Sequence, residues 1–211
     1  MDLHVTLIMM RHGGARLLKP MVKMMTTLPI VEAGKLPQLA HTPNGPVVRF
    51  WRHPRDRVVG MYRWWKDQGG AKFRSLKGRN DDERIVSLLR LVEQPRPGKT
   101  PKSPIDLAGL PMIQAMRLFV VHWRDIPAFE LKYERLISPE TGPREVGELG
   151  TYLGYSPPVD ADSVSIFDAC FRKTHGWTGQ APSRWQDWFG PASTRFWEEN
   201  GGLDLENLMG Y

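Results

Sequence analysis

Residues 47–65, VVRFWRHPRDRVVGMYRWW, decide how the rest of the chain is read. An apolar run of Val47, Val48, Phe50 and Trp51 gives way to Arg52-His53-Pro54-Arg55-Asp56, after which Val58, Val59, Tyr62 and Trp65 recur at helical spacing. The pattern predicts a buried strand, a sharp turn, and a helix entered through Pro54, whose missing N–H costs nothing in a first helical turn. A strand that feeds a helix start points backbone N–H groups and a positive dipole end at one spot. With Arg52 at the strand's end, that spot suits an anion, most naturally a phosphate. The plainer reading of the same residues is a capped surface helix with solvated arginines.

Upstream, His4–Met10 reads as a short buried strand, followed by Arg11-His12-Gly13-Gly14-Ala15-Arg16 and a helical stretch over Leu17–Met25 that Pro20 should kink or restart. Strand, glycine-containing loop and helix is an arrangement that cradles phosphate, although the G-x-x-x-x-G-K-[ST] spacing of a Walker A loop is missing. A short strand is expected near Pro29–Glu32, and His41 then lies just before the central strand, in a Pro/Gly-rich connection.

Downstream, a polar stretch over Asp67–Asp82 leads to a helix over Asp81–Glu93 with acidic residues in its first turn. Gln94–Pro104 (QPRPGKTPKSP) is either a mobile lid or acceptor-facing loop at 94–104, or simply a disordered surface loop. Ile105–Trp123 reads as a long amphipathic helix. Ala128–Leu136 reads as a strand running into Tyr133-Glu134-Arg135-Leu136, and Gly142–Leu153 as a helix ended by Gly154. Trp185 and Trp188 are expected in the core.

A length of 211 residues fits one domain, and 41% hydrophobic with 25% charged residues is ordinary for a globular protein. No apolar run is long enough to span a bilayer, and MDLHVTLIMM lacks the features of a secretory leader. Cys170 is the only cysteine, which excludes an internal disulfide and makes the cytoplasm the expected location. No zinc-like Cys/His spacing occurs. The net charge of +6 suits a polyanionic ligand, and its scattered cations fit a doubly phosphorylated nucleotide better than nucleic acid.

Taken in order, these segments resemble the sulfotransferases that use 3′-phosphoadenosine 5′-phosphosulfate (PAPS). Arg52-x-Pro54-x-Asp56 is similar to their R-x-P-x-D-x-x-x-S segment, with Gly60 where the serine stands. RHGGAR is similar to a degenerate copy of their P-[KR]-S-G-T-[TS]-W loop: Arg11 takes the basic position and Gly13 the glycine, while His12, Gly14, Ala15 and Arg16 replace hydroxyl residues and a tryptophan. His41 occupies the place of the family's catalytic histidine without its preceding lysine-threonine. Tyr133-Glu134-x-Leu136 is similar to Y-E-D-L, and Phe171-Arg172-Lys173 to F-R-K. The chain closes on Met209-Gly210-Tyr211, like the family's L-G-Y.

The resemblance implies an α/β fold, a mostly parallel central sheet flanked by helices in a three-layer sandwich like that of P-loop nucleoside-triphosphate hydrolases. It implies one sulfotransferase domain over 1–211. It also implies PAPS as donor, 3′-phosphoadenosine 5′-phosphate (PAP) as product, and no metal. Arg11 with the loop through Arg16 would hold the 5′-phosphosulfate; Arg52, Arg172 and Lys173 the 3′-phosphate; Tyr133 would reach the base. His41 would take the proton of a hydroxyl or amine acceptor, a small molecule or glycan. Two alternatives stay open: a PAP- or PAPS-binding protein of this fold with impaired catalysis, and a nucleotide kinase-like phosphotransferase. The latter needs a Walker lysine and magnesium ligands that the sequence does not offer. Nucleic-acid binding is suggested only by net charge.

Overall fold

Val5–Met9 (VTLIM) and Val47–Trp51 (VVRFW) put apolar side chains on both of their faces, the pattern of strands covered on two sides. The structure is a computed structural model that describes residues 3–10, 15–33, 43–92, 110–155, 165–166, 168–169 and 184–211, with backbone alone at 15 and 16. In it these two stretches are strands β1 (Val5–Met9) and β3 (Val47–Trp51). With β2 (Ile30–Glu32) and β4 (Phe129–Lys132) they form a four-stranded sheet in the order β2-β1-β3-β4. Every pairing among these strands is parallel: Val5 lies opposite Ile30, Met9 opposite Phe50, and Trp51 opposite Lys132. The chain goes out from β1 to β2, then returns past β1 to β3 and on to β4. The direction therefore reverses between β1 and β3, where open α/β sheets place their ligands, at the carboxyl ends of the strands.

The described residues gather into two compact units. The first takes its described residues from 3–33, 43–52, 126–155 and 165–169 and holds the whole sheet. Helix α1 (Ala15–Met25) lays Leu17, Leu18, Met21, Val22 and Met25 against Val5, Leu7 and Met9 of β1, Val48 and Phe50 of β3, and Leu131 of β4. Pro20 lies within α1, which continues past it as one helix. The alternate residues Thr6, Ile8, Arg49 and Trp51 are buried as well. A buried arginine inside a strand needs an acceptor set, and Arg49 finds one in Glu130 Oε2 (3.1 Å) and the Ile126 carbonyl. The Tyr152 hydroxyl accepts from the Val47 N–H and donates to the Val47 carbonyl, at 3.0 and 3.1 Å. That tyrosine closes the helix over Gly142–Tyr152, whose chain leaves through Gly154 at φ 74°.

The second unit takes its described residues from 53–92, 110–125 and 184–211 and is helical. Helix α2 (Pro54–Gln68) starts at Pro54, as the sequence predicts, and buries Val58, Val59, Met61, Tyr62 and Trp65. It ends at Gly69, whose φ of 55° lets its N–H return to the Lys66 carbonyl. The helix expected over Asp81–Glu93 stops at Leu89, its start capped by the Asn80 side chain on the Glu83 N–H. Within the stretch 105–123, the helix is described over Met112–Trp123. Trp185 and Trp188 are only half-buried, while Trp123 and Trp197 are fully buried. Among the described residues, no helix is long and apolar enough to cross a membrane.

Candidate functional site

Parallel strands in register deliver consecutive side chains to one edge. Trp51 of β3 pairs with Lys132 of β4, so Arg52 and Tyr133, the next residue of each, leave the sheet side by side. The Arg52 Cζ sits over the Tyr133 ring, 4.7 Å from its centroid. Phe50 meets the same ring edge-on, at 6.1 Å and 62°. The root of the tyrosine is fixed too: Tyr133 begins a short helix, Tyr133–Leu136, and its carbonyl accepts from the Ile137 N–H at 2.9 Å.

This arrangement suits an oxyanion. A guanidinium is planar and weakly hydrated, so it stacks on an aromatic face without surrendering the N–H donors that lie in its own plane. Those donors are spaced to grip two oxygens of one phosphate or sulfate. Arg52 is half-buried, which strengthens its attraction for a negative group beyond what a solvated arginine would give.

The neighbouring strand ends at the same edge. Met9 of β1 lies opposite Phe50 of β3, and α1 begins at Ala15, six residues later. The strand and the helix of the expected succession are therefore present, with Ala15 and Arg16 opening α1. Of the residues singled out in the sequence, the structure brings Arg52 and Tyr133 together. Arg11, His12, Gly13, Gly14, His41, Arg172 and Lys173 lie outside the described residues, as does the stretch 94–104. Gly60, at the family's serine position, is inside α2 and offers no hydroxyl.

The remaining motif residues belong to the second unit and are held within it. Asp56 accepts the Trp185 N–H at 2.6 Å. Arg55 is buried, bonded to Glu206, with its Cζ 4.1 Å from the Trp185 ring centroid. His53 stacks on Trp185 at 5.8 Å and 17° and meets the Tyr211 ring edge-on at 4.9 Å. Burial, and then the Arg55 charge, bring the His53 pKa down to about 4. The ring is thus neutral near pH 7 and a poor proton acceptor. Nothing local in R-H-P-R-D separates Arg52, which stacks at the sheet edge, from Arg55, which faces the core. The signal would have been the Glu206 of the terminal helical pattern, since a buried arginine requires a carboxylate. Among the described residues no group of three His, Cys, Asp or Glu side chains could hold a metal ion.

No protein-family model matches the chain, and no curated protein matches it. Among solved structures it is similar to mouse sulfotransferase SULT7A1 complexed with PAP, with a TM-score of 0.65 and 11% identity, over 100% of this chain and 89% of that one. At that identity the likeness is one of fold: a parallel sheet flanked by helices, of the sulfotransferase type.

Proposed function

We propose that the chain is a sulfotransferase that moves a sulfuryl group from PAPS to a hydroxyl or amine of a small-molecule or glycan acceptor, with PAP as the other product. The observation that carries this reading is the Arg52 guanidinium stacked on Tyr133 at the carboxyl edge of a sulfotransferase-type sheet. The similar solved structure holds PAP, the product of such a donor. In this reading the chain works as one domain over 1–211 in the cytoplasm, without a metal ion, and the loop at 94–104 attends the acceptor.

Bound PAPS would supply the sulfuryl group. Arg52, Arg172 and Lys173 hold the 3′-phosphate. Arg11 and the backbone N–H groups of His12, Gly13, Gly14, Ala15 and Arg16 hold the 5′-phosphosulfate, and the α1 dipole favours negative charge there. His41 takes the acceptor's proton as its oxygen or nitrogen attacks sulfur in line, and Arg11 offsets the charge that develops on the leaving phosphate oxygen. His53 is not the base, because it stays neutral and hard to protonate until about pH 4.

Titration calorimetry with PAP tests the binding half. Binding without any gain from magnesium, lost in Arg52→Ala, supports the reading. Tight binding of ATP with magnesium instead would support a kinase-like phosphotransferase. A transfer assay with labelled PAPS and a panel of acceptors tests the chemistry: His41→Ala should abolish turnover while PAP affinity stays within a few-fold. A second reading has its own support. Neither RHGGAR nor Gly60 supplies a hydroxyl to the phosphates, so PAP binding without turnover on any acceptor would mark a nucleotide-binding protein with impaired catalysis.

A further inference from the structure

We infer that Tyr133 is a positioning residue for cofactor selectivity: it holds the Arg52 guanidinium for a 3′-phosphate, and does not itself read the nucleotide base. The inference rests on the PAPS reading proposed above and assigns the tyrosine a part in it that the family resemblance does not.

Three observations support it. One face of the Tyr133 ring is taken by the Arg52 Cζ, 4.7 Å from its centroid, and Phe50 packs edge-to-face with the same ring at 6.1 Å. The pairing is built into the backbone, because the Trp51–Lys132 register makes Arg52 and Tyr133 neighbours before any ligand arrives. The serine hydroxyl that would share the phosphate with the arginine of this segment is missing, since Gly60 stands at its position. With that hydroxyl gone, more of the grip falls on Arg52, which gains from being held still. Its free side chain has many rotamers, and ordering them on binding weakens affinity. A ring beneath the guanidinium removes part of that loss in advance and keeps the N–H donors in the plane from which they grip two oxygens.

The consequence is a selectivity, and calorimetry reads it with two nucleotides, PAP and AMP, which differ at the 3′ position. In Tyr133→Leu, PAP should bind about tenfold more weakly, in line with the loss of a partly desolvated cation–π contact, while AMP affinity stays within about twofold. Tyr133→Phe should keep the preference. In an Arg52→Ala background, Tyr133→Leu should change PAP affinity no further.

Equal weakening of PAP and AMP in Tyr133→Leu would put the ring on the base and overturn the proposal. So would additive losses in the double variant. An unsubstituted protein that binds PAP and AMP alike would overturn the 3′-phosphate role of Arg52, and this inference with it. A preference for PAP that survives Tyr133→Leu overturns the inference alone. A measurement on the unsubstituted protein covers the case in which Tyr133→Leu does not fold. The Arg52 Nε–H resonance, identified by its loss in Arg52→Lys, should be shifted by the tyrosine ring current and keep that shift when PAP binds. Loss of the shift on PAP binding would mean that the ring leaves Arg52 for the base.

Discussion

Arg55 and Glu206 grip each other at two points inside the helical unit, Nε to Oε1 at 2.6 Å and Nη2 to Oε2 at 3.4 Å, under the Trp185 ring. Both side chains are largely hidden, 5% and 13% exposed, so neither charge has water as a substitute partner. Three residues earlier in the same motif, Arg52 belongs to the other unit and stacks on Tyr133 instead. One short basic motif thus divides its arginines between a structural task and a proposed ligand task.

Glu206→Ala should therefore be costly, because it leaves the Arg55 charge buried and uncompensated. The expected loss is about 3–5 kcal/mol in urea unfolding. Replacing both residues together, as Arg55→Met with Glu206→Leu, should cost clearly less than the single change, since no lone charge remains. A loss under about 1 kcal/mol for Glu206→Ala, the range of an exposed pair, would show that the pair is solvated.

Asp82 organises the start of the helix Pro191–Glu199. Its Oδ1 accepts from the Gly190 and Ser193 N–H groups and the Ser193 hydroxyl, and its Oδ2 from the Ala192 N–H. Burial opposes ionisation of this carboxyl, but the bonds from Ser193, Ala192 and Gly190 outweigh it and hold the pKa below its ordinary value. The folded state thus binds fewer protons than the unfolded chain. The contribution to stability is complete above the unfolded pKa, about 3.9, and is lost as pH falls through the lower folded value. Asp82→Ala should cost about 1–2 kcal/mol at pH 7, the upper range for a lost cap. Asp82→Asn should show a shallower loss of stability on acidification than the unsubstituted protein; an unchanged acid limb would remove Asp82 from this role.

The strands and the turn into Pro54 were legible in the sequence because each rests on local pattern: an apolar run, a proline in a first turn, a glycine after a last one. Arg52 was legible for the same reason, as a cation at the end of a buried run. Its partner was not. Stacking on Tyr133 depends on the register between β3 and β4, which no segment states by itself. Arg49 shows the same limit from inside a strand, since its acceptors lie 77 and 81 residues away in sequence. Nor did periodicity reveal the two units, because an apolar face marks burial without naming what it packs against. Trp185 and Trp188, expected in the core, differ from the structure on this account: both are half-buried, Trp185 against Arg55, whereas Trp197 is in the core.

His53 gives a direct spectroscopic check. Its pKa is lowered to about 4 by burial first and by the Arg55 charge second. The unfolded chain has the ordinary value near 6.5, so between about 6.5 and 4 the unfolded state binds more protons. Stability from this source is complete above pH 6.5 and declines as pH falls through 4. An NMR titration of the folded protein should give a His53 midpoint near 4. His53→Gln should flatten the stability profile across that window; a midpoint near 6.5 would mean that the ring is not packed against Trp185 and Tyr211.

Gly202 tests the packing around the terminal helix without touching a charge. It opens the helix Gly202–Leu208, and a Cβ placed on it would overlap Trp197 Nε1 and two carbons of the same ring. Trp197 is fully buried and packed against Phe189 at 6.0 Å, so the ring has little room to retreat. Even a single added methyl must move either the indole or the start of the helix. Overpacking of this kind costs about 1–3 kcal/mol, and Gly202→Ala should fall at the upper end in thermal or urea unfolding. Gly69→Ala is the matched control. It sits at φ 55° with nothing within 4 Å of the added carbon, so its cost is backbone strain alone, about 1 kcal/mol. If the two variants lost the same stability, the close approach of Gly202 to the indole would not be a feature of the folded protein.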